Sequence, residues 1–378
     1  PHNSPVAQSG LLFYNTLFDE NAASHLALGS AYKFTVAGGE GMSDELFEQA
    51  GGNRSATHVD FMIGSPHLDI VAVHADEDDL AAAYTQRFAQ ARRVADRRAI
   101  LDDPSIALVV SATIPDTRAA TAIEVMRHGK DVMVDKPGCI TLDQLAQLRR
   151  VQAETGRIFS VCFSERFENR ATERASRLVA AGAIGRVVQT VGLGPHALRN
   201  NPRPEWFFQR KRYGGILCDI AAHQCDQFLH FTGSTRAEVV ASHTANHANP
   251  ETPELEDFGE VLLRGNGGTG YIRVDWYTPK GLGVWGDGRL TILGTEGYIE
   301  LRKYIDVAGR PGGDHLFLVD GKGTQHIDCS AEPLPYGLRL IEDVRNRTQT
   351  AMRQEHCFLA TELALRAQAL ATRVELSK

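Results

Sequence analysis

The sequence predicts an α/β Rossmann domain, a doubly wound parallel sheet, followed by an α+β domain with a large open, mainly antiparallel sheet. Three observations carry this. Between residues 46 and 138, short apolar runs alternate with helical stretches, the pattern of βαβ units. After Pro137, strand-like runs follow one another with glycine turns such as Gly265-Asn266-Gly267-Gly268 between them. The 378 residues are enough for two or three domains with complete cores.

The elements read in order as follows. Residues 1–45 form an N-terminal extension of unclear role, with apolar runs at Leu11–Tyr14 and Lys33–Ala37. Asp69–His74 (DIVAVH) and Ala107–Ala112 (ALVVSA) are apolar runs of the kind buried parallel strands use. Ala81–Ala91 has helical composition, and Thr117–His128 has apolar residues at helical spacing before Gly129. Asp131–Val134 closes the Rossmann part. From 139 to 378 the chain is assigned to a substrate and oligomerisation domain. It holds helices at Leu142–Gly156, Ala171–Ala181 and Arg353–Thr372. Its strands are Ile158–Phe163, Val187–Leu193, Glu238–His243, Gly259–Arg264, Gly270–Trp276, Arg289–Leu293 and His315–Val319.

Composition excludes several classes. Apolar content of 43% with 23% charged residues is that of a globular chain. A net charge of −7 argues against a nucleic-acid binder, which needs clustered Lys and Arg. No window reaches the roughly 18 apolar residues of a membrane span. The six cysteines have no paired spacing, and no signal segment opens the chain; the expectation is reduced thiols in a cytoplasmic protein.

Three constellations carry chemistry. A dinucleotide site needs a glycine turn after its first strand and an acid ending the second. Asp76 is the candidate acid. Counting back from it reaches Gly51, Gly52, Asn53 and Arg54, within a degraded G-x-G-x-x-G over 50–55. The competing turn, Gly38-Gly39-Glu40-Gly41, follows a better strand but lies 35 residues before Asp76, and 50–55 is preferred. The acidic run Asp76-Glu77-Asp78-Asp79 would repel a 2′-phosphate, favouring NAD over NADP.

The second constellation is Asp135-Lys136-Pro137. A lysine at the carboxyl end of a parallel strand points into the ligand crevice and can polarise or deprotonate a hydroxyl; a surface turn is the plainer alternative. The third is the segment from Gly214-Gly215 to Asp226. Helical spacing places Asp219, His223 and Asp226 on one face, suited to proton transfer or to a metal. His223 as an ordinary core histidine is the alternative. His196 and Trp206 fall where the antiparallel sheet should face the crevice. A sugar could use both, though a loop histidine and a core tryptophan would look the same.

In this order the three elements resemble the Gfo/Idh/MocA oxidoreductases, over roughly residues 46–378. Supporting stretches are Ile100–Ile106, Gly129–Pro137, Gly182–Arg186 and Gly294–Gly297. The resemblance implies that Lys136 contacts the nicotinamide ribose and the substrate hydroxyl. It implies that His223 takes the hydroxyl proton and that Asp219 orients it. Ser111, Ala112, Thr113 and Pro115, together with Asp135 and Arg166, would line the cofactor. The chain departs from the family in having Asp135 where Glu is usual, and in lacking a histidine within Pro115-Asp116-Thr117-Arg118.

The expected function is NAD-dependent dehydrogenation of a secondary hydroxyl on a sugar, polyol or related small molecule, with activity rising through the pKa of His223. The rivals are a redox-neutral lyase, epimerase or glycoside-cleaving relative with tightly held NAD, and a non-catalytic dinucleotide or sugar sensor. A metal enzyme on Asp219, His223 and Asp226 ranks last, and the expectation is no bound metal. The open sheet face predicts a homodimer or homotetramer; no nucleic-acid or membrane partner is expected.

Overall fold

The computed structural model describes residues 32–37, 68–75, 82, 89–198 and 203–375. The first sheet takes β1 (Tyr32–Ala37), β2 (Leu68–His74), β3 (Arg92–Arg93), β4 (Ile106–Ser111), β5 (Asp131–Asp135) and β6 (Phe159–Cys162). All pairings are parallel, in the order β3-β2-β1-β4-β5-β6. The order reverses between β1 and β4, so the ligand crevice of this doubly wound sheet opens at their carboxyl ends.

Two boundaries differ from the sequence reading. Strand β1 is central to the sheet although it lies inside the segment 1–45 left without a role. The run Lys33–Ala37 is visible in the sequence as a strand, but Lys33 and Thr35 interrupt YKFTVA, so nothing local marks it as the centre of a parallel sheet. At the other end, β6 lies beyond residue 138 and pairs with β5. The composition change at Pro137 is therefore not the end of the parallel sheet. The glycine turns at 38–41 and 50–55, Asp76 and most of the expected helix 81–91 lie outside the described residues.

Helix α1 (Pro115–Arg127) starts on a proline, which has no amide hydrogen to leave unbonded there, and buries Arg118, Ala119, Ala122, Val125 and Met126. Helix α2 (Leu142–Thr155) is capped by Thr141, which accepts from the Gln144 amide at 3.1 Å. It ends on Gly156 at φ 63°, a conformation glycine reaches without strain. Its Leu145, Leu148 and Val151 form one buried stripe.

The second sheet has nine strands: β7 (Val187–Pro195), β8 (Ala237–Ala245), β9 (Phe258–Gly265), β10 (Thr269–Asp275), β11 (Arg289–Gly294), β12 (Gly297–Arg302), β13 (His315–Asp320), β14 (Gly323–Asp328) and β15 (Thr372–Arg373). Their order is β14-β13-β12-β11-β7-β10-β9-β8-β15. Only β7–β10 and β8–β15 run parallel. Short helices α3 (Ser164–Phe167) and α4 (Arg170–Ala180) lead from the first sheet to the second. Helices α5 (Ile216–Asp219) and α6 (Ala221–Thr232) lie over β7, β9 and β10, while α7 (Tyr336–Asn346) and α8 (Gln354–Leu370) follow the last long strand. Tyr336 stacks on Phe167 and shares a 2.5 Å hydrogen bond with Ser160, which ties α7 to β6.

Strands β12 and β14 and helix α7, like the short β3, β15 and α3, are not among the elements expected from sequence. Strand β14 is an exposed edge, so GTQHID carries no apolar alternation to reveal it. Among the described residues, no helix is long and apolar enough to cross a membrane, and none of the six cysteines forms a disulfide.

Candidate active site

The site begins at the carboxyl end of β5. Asp135, fully buried, accepts from the Lys136 amide at 2.8 Å and faces the Arg118 guanidinium at 3.4 Å. Arg118 also donates to the carbonyls of Thr113 (2.5 Å), Pro137 (3.1 Å) and Lys136. One buried guanidinium thus ties the loop after β4 to the loop after β5. Asp135, expected against the cofactor, pairs with Arg118 at the junction of these loops. Arg118 is not among the residues singled out from sequence. Its signal was its place on the buried stripe 118-122-125 of an otherwise apolar helix face.

With its backbone held, Lys136 extends its ammonium to Asp219, Nζ to Oδ1 2.7 Å, across 83 residues of chain. The lysine side chain is 5% exposed and the aspartate 13%. The pair joins the parallel sheet to α5 and lies next to the crevice.

Asp219 is placed by a glycine-led helix start. Gly214 and Gly215 have φ of 92° and 100°, which a residue with a Cβ rarely adopts. A Cβ on Gly215 would also collide with the Gln368 amide and the Arg210 guanidinium. The first amides of α5 are capped from afar. Ile216 N–H donates to Glu256 Oε2 (2.9 Å) and Leu217 N–H to Gln368 Oε1 (2.9 Å), and the Gln368 amide bonds Glu256 in turn. His223, 2% exposed, follows in the first turn of α6. Burial pushes the neighbouring Cys218 thiol up to about 12, which keeps it from acting as a nucleophile.

The third member of the expected face goes elsewhere. Asp226 accepts both Nε and an Nη of Arg166 at 2.6 Å, and His356 Nε2 lies 2.7 Å from its Oδ1. Burial alone would raise its pKa, but the Arg166 guanidinium and His356 hold it well below the usual carboxylate range. Asp219 ends α5, whereas Asp226 lies in the second turn of α6. Of the three residues expected on one face, Asp219 pairs with Lys136 while Asp226 is taken up by Arg166 and His356. Arg166, expected against the cofactor, is the ion-pair partner of Asp226. Among the described residues, no His, Cys, Asp and Glu group forms a metal-binding cluster.

Ser111, Ala112, Thr113 and Pro115 stand where expected, on the end of β4 and the start of α1, with Ser111 Oγ 3.4 Å from Thr113 Oγ1. The first turn of α1 has no side-chain cap from its own N-cap residue, Ile114. Its amides and the switch point between β1 and β4 suit a dinucleotide lying across these strand ends.

His196 follows the end of β7, and its ring meets those of Trp276 (5.3 Å between centroids) and Trp285 (4.3 Å). Trp276 continues to Phe207 (5.3 Å) and Phe207 to Trp206 (6.0 Å). Trp206 is buried, and its indole nitrogen has no hydrogen-bond partner among the described residues. Ile220, beside Asp219, packs over Gly194, two residues before His196. The aromatic row therefore begins beside the α5–α6 junction.

Comparisons with known proteins assign the two ends of the chain differently. Residues 50–163 match the sequence model of an oxidoreductase family with an NAD-binding Rossmann fold, and residues 172–300 match the GFO/IDH/MocA C-terminal domain. Residues 1–84 match the thermophilic metalloprotease (M29) model. The crystal structure of an oxidoreductase from Erwinia carotovora atroseptica superposes with a TM-score of 0.84 at 43% identity, covering 91% of this chain and 99% of that one. The scyllo-inositol 2-dehydrogenase (NAD(+)) of Bacillus subtilis is 27% identical over 60% of this chain and 61% of its own. Aminopeptidase AmpS of Bacillus subtilis is 58% identical over 76 residues, 20% of this chain and 18% of its own. The chain thus spans under a fifth of the aminopeptidase and about three-fifths of the inositol dehydrogenase. Strand β1 falls inside the metalloprotease-like stretch and ahead of the residues that match the Rossmann model. From residue 50 onward, two family models, the two-sheet fold and the 43% identical structure agree: the chain belongs to the Gfo/Idh/MocA oxidoreductase family, with an NAD-binding Rossmann domain.

Proposed function

We propose that the chain is an NAD-dependent dehydrogenase acting on a secondary hydroxyl of a sugar, an inositol or a related polyol, with Lys136, Asp219 and His223 as its working residues. The buried 2.7 Å pair of Lys136 and Asp219, one helical turn from His223, carries the reading. An ammonium has three donors and Asp219 takes one, so Lys136 can donate to a substrate oxygen while Asp219 accepts from a neighbouring hydroxyl. The hydroxyl proton passes to the His223 imidazole as the carbon is oxidised. Nicotinamide, when bound, supplies the two-electron acceptor.

Of the two candidate pyrophosphate turns, our reading takes Gly38-Gly39-Glu40-Gly41 ahead of 50–55, because it follows directly in sequence on Ala37, the end of the central strand β1. In this reading Asp76, two residues past β2 in sequence, would take the ribose hydroxyls, and Ser111, Ala112 and Thr113 would line the cofactor. His196 and Trp206 offer a substrate polar tips on aromatic bodies. The scyllo-inositol dehydrogenase relative supports the polyol class. The 76-residue similarity to an aminopeptidase spans 18% of that enzyme, too little to carry a peptidase reading.

A second copy of the chain is the proposed partner. Register places Leu262, Tyr271, Val191, Thr291, Glu300 and Phe317 in one row across the helix-free face of the second sheet, with Leu293 and Tyr298 paired in the next. Leu262, Leu293 and Tyr298 are exposed there.

The test is NAD binding by calorimetry, then NADH formation over a panel of inositols and sugars, with His223→Asn as control. Micromolar NAD binding with turnover on at least one polyol supports the reading. A pH–rate profile unchanged in His223→Asn removes His223 from it, and absence of NAD and NADP binding overturns the whole.

A further inference from the structure

We propose that Glu165 and Lys303 form a positioning couple that fixes the first turn of α6, and with it the direction of the His223 imidazole. The proposal rests on the reading of His223 as proton acceptor. Glu165 is on α3, just after the last parallel strand, and Lys303 directly follows β12 in the second sheet. Their 2.6 Å ion pair is sealed, each side chain 1% exposed.

Every polar atom around this carboxylate points to α6. Gln224 Nε2 donates to Glu165 Oε1 at 3.1 Å and to Oε2 at 3.0 Å. Lys303 Nζ donates to Gln227 Oε1 at 2.7 Å. The Gln227 amide then donates to the His223 carbonyl at 3.0 Å and approaches Glu165 Oε2 at 3.5 Å. A chain of hydrogen bonds thus runs from the second sheet, through one carboxylate, to the backbone of His223.

Stability does not account for this arrangement. A sealed ion pair replaced by apolar residues of like volume is often neutral or stabilising. What the pair adds is direction. Carboxylate and amide groups bond along fixed axes, so Gln224 cannot slide or turn as an apolar contact could. His223 is the preceding residue, so its azimuth on the helix is set when that of Gln224 is set.

The floor beneath is built for the same side chain. Gly192 and Gly194 on β7 face Gln224, and a Cβ on either would lie 2.8 Å from it, on Cγ and Nε2 respectively. Two residues further along α6, between Gln224 and Gln227, Arg166 and His356 hold Asp226, so the same stretch of helix is clamped by a second set of partners. Neither Glu165 nor Lys303 has a place in the proton path: they act through Gln224, Gln227 and the helix.

Gln224→Met is the decisive variant, because it removes the amide, keeps the length, and leaves Glu165 and Lys303 paired. Lys303→Met is the harsher companion, and Gln224→Met decides alone if that companion does not fold. In Gln224→Met, kcat should fall about ten- to a hundredfold, while KM, the NAD dissociation constant and Tm stay near wild type. The His223 ring resonances, assigned by their loss in His223→Asn, should shift or broaden whether or not a substrate is known. If wild type shows no dehydrogenase activity but these resonances move in Gln224→Met, the dehydrogenase reading fails and the couple stands. Unmoved resonances, or a kcat that falls only in step with Tm, overturn the couple.

Discussion

Two lysine–carboxylate pairs bridge the sheets of this protein, and they differ in what surrounds them. Lys136–Asp219 and Lys303–Glu165 have nearly the same length, 2.7 and 2.6 Å. The first has an aspartate 13% exposed beside the crevice, and its ammonium carries donors beyond the one Asp219 accepts. The second is sealed, with glutamine amides on both carboxylate oxygens. Equal bonds therefore serve unequal ends: a pair with donors to spare at a ligand crevice can do chemistry, while a saturated one holds geometry.

The sharpest way to break this contrast is Lys136→Met. It should lower kcat/KM by about 100- to 10,000-fold with little change in Tm, since one side of the pair can still reach solvent. A Tm loss as large as that of a sealed pair would erase the distinction. The next largest effect belongs to the buried Asp226. Asp226→Asn leaves Arg166 and His356 facing a neutral amide and should cost about 3–5 kcal/mol of stability, read by denaturant unfolding.

Buried groups also predict an acid limb. Burial holds His230 down to about 3, beside Ser176 Oγ at 2.8 Å, so the folded state keeps it neutral. The unfolded chain takes up that proton below about 6.5, so stability falls as pH drops through that range. Asp226, held low in the fold, adds stability that is present above about 4 and lost below it. Tm measured against pH should show both steps, and His230→Gln should remove the first alone.

Smaller effects test the surfaces. Leu293→Glu on the open sheet face should shift sedimentation towards the monomer without changing Tm by more than about 2–4 °C. Arg264→Ala breaks an exposed pair with Glu238 (2.6 Å, exposures 65% and 60%) and should change stability by less than about 0.5 kcal/mol. A larger loss there would mean that burial is a poor guide to the worth of ion pairs in this fold.

Much of the architecture was legible. β4 and β5 announce themselves as apolar runs, and α1 and α2 by spacing and caps, because these signals depend on neighbours within a turn or a strand. The segment from Gly214 to His223 was legible for the same reason. Strand β1 was legible as the short run 33–37 but not as the centre of the sheet, since that place depends on its pairing with β2 and β4. The edge strand β14 was not, since an exposed edge needs no apolar face.

Within the site, Lys136, Asp219 and His223 could be nominated from residue type and local context. The destination of Asp226 could not, because Arg166 is 60 residues away and reaches it through the order of strands. The sequence by itself determined the parallel sheet, the loop that presents Lys136 and the glycine start that presents Asp219. Tertiary structure decided which carboxylate meets which cation: Asp219 with Lys136, Asp226 with Arg166, and Glu165 with Lys303 across 138 residues. The physical reason is range. Periodicity and caps act over a few residues, whereas a buried charge takes whatever partner the packing of two sheets brings within about 3 Å.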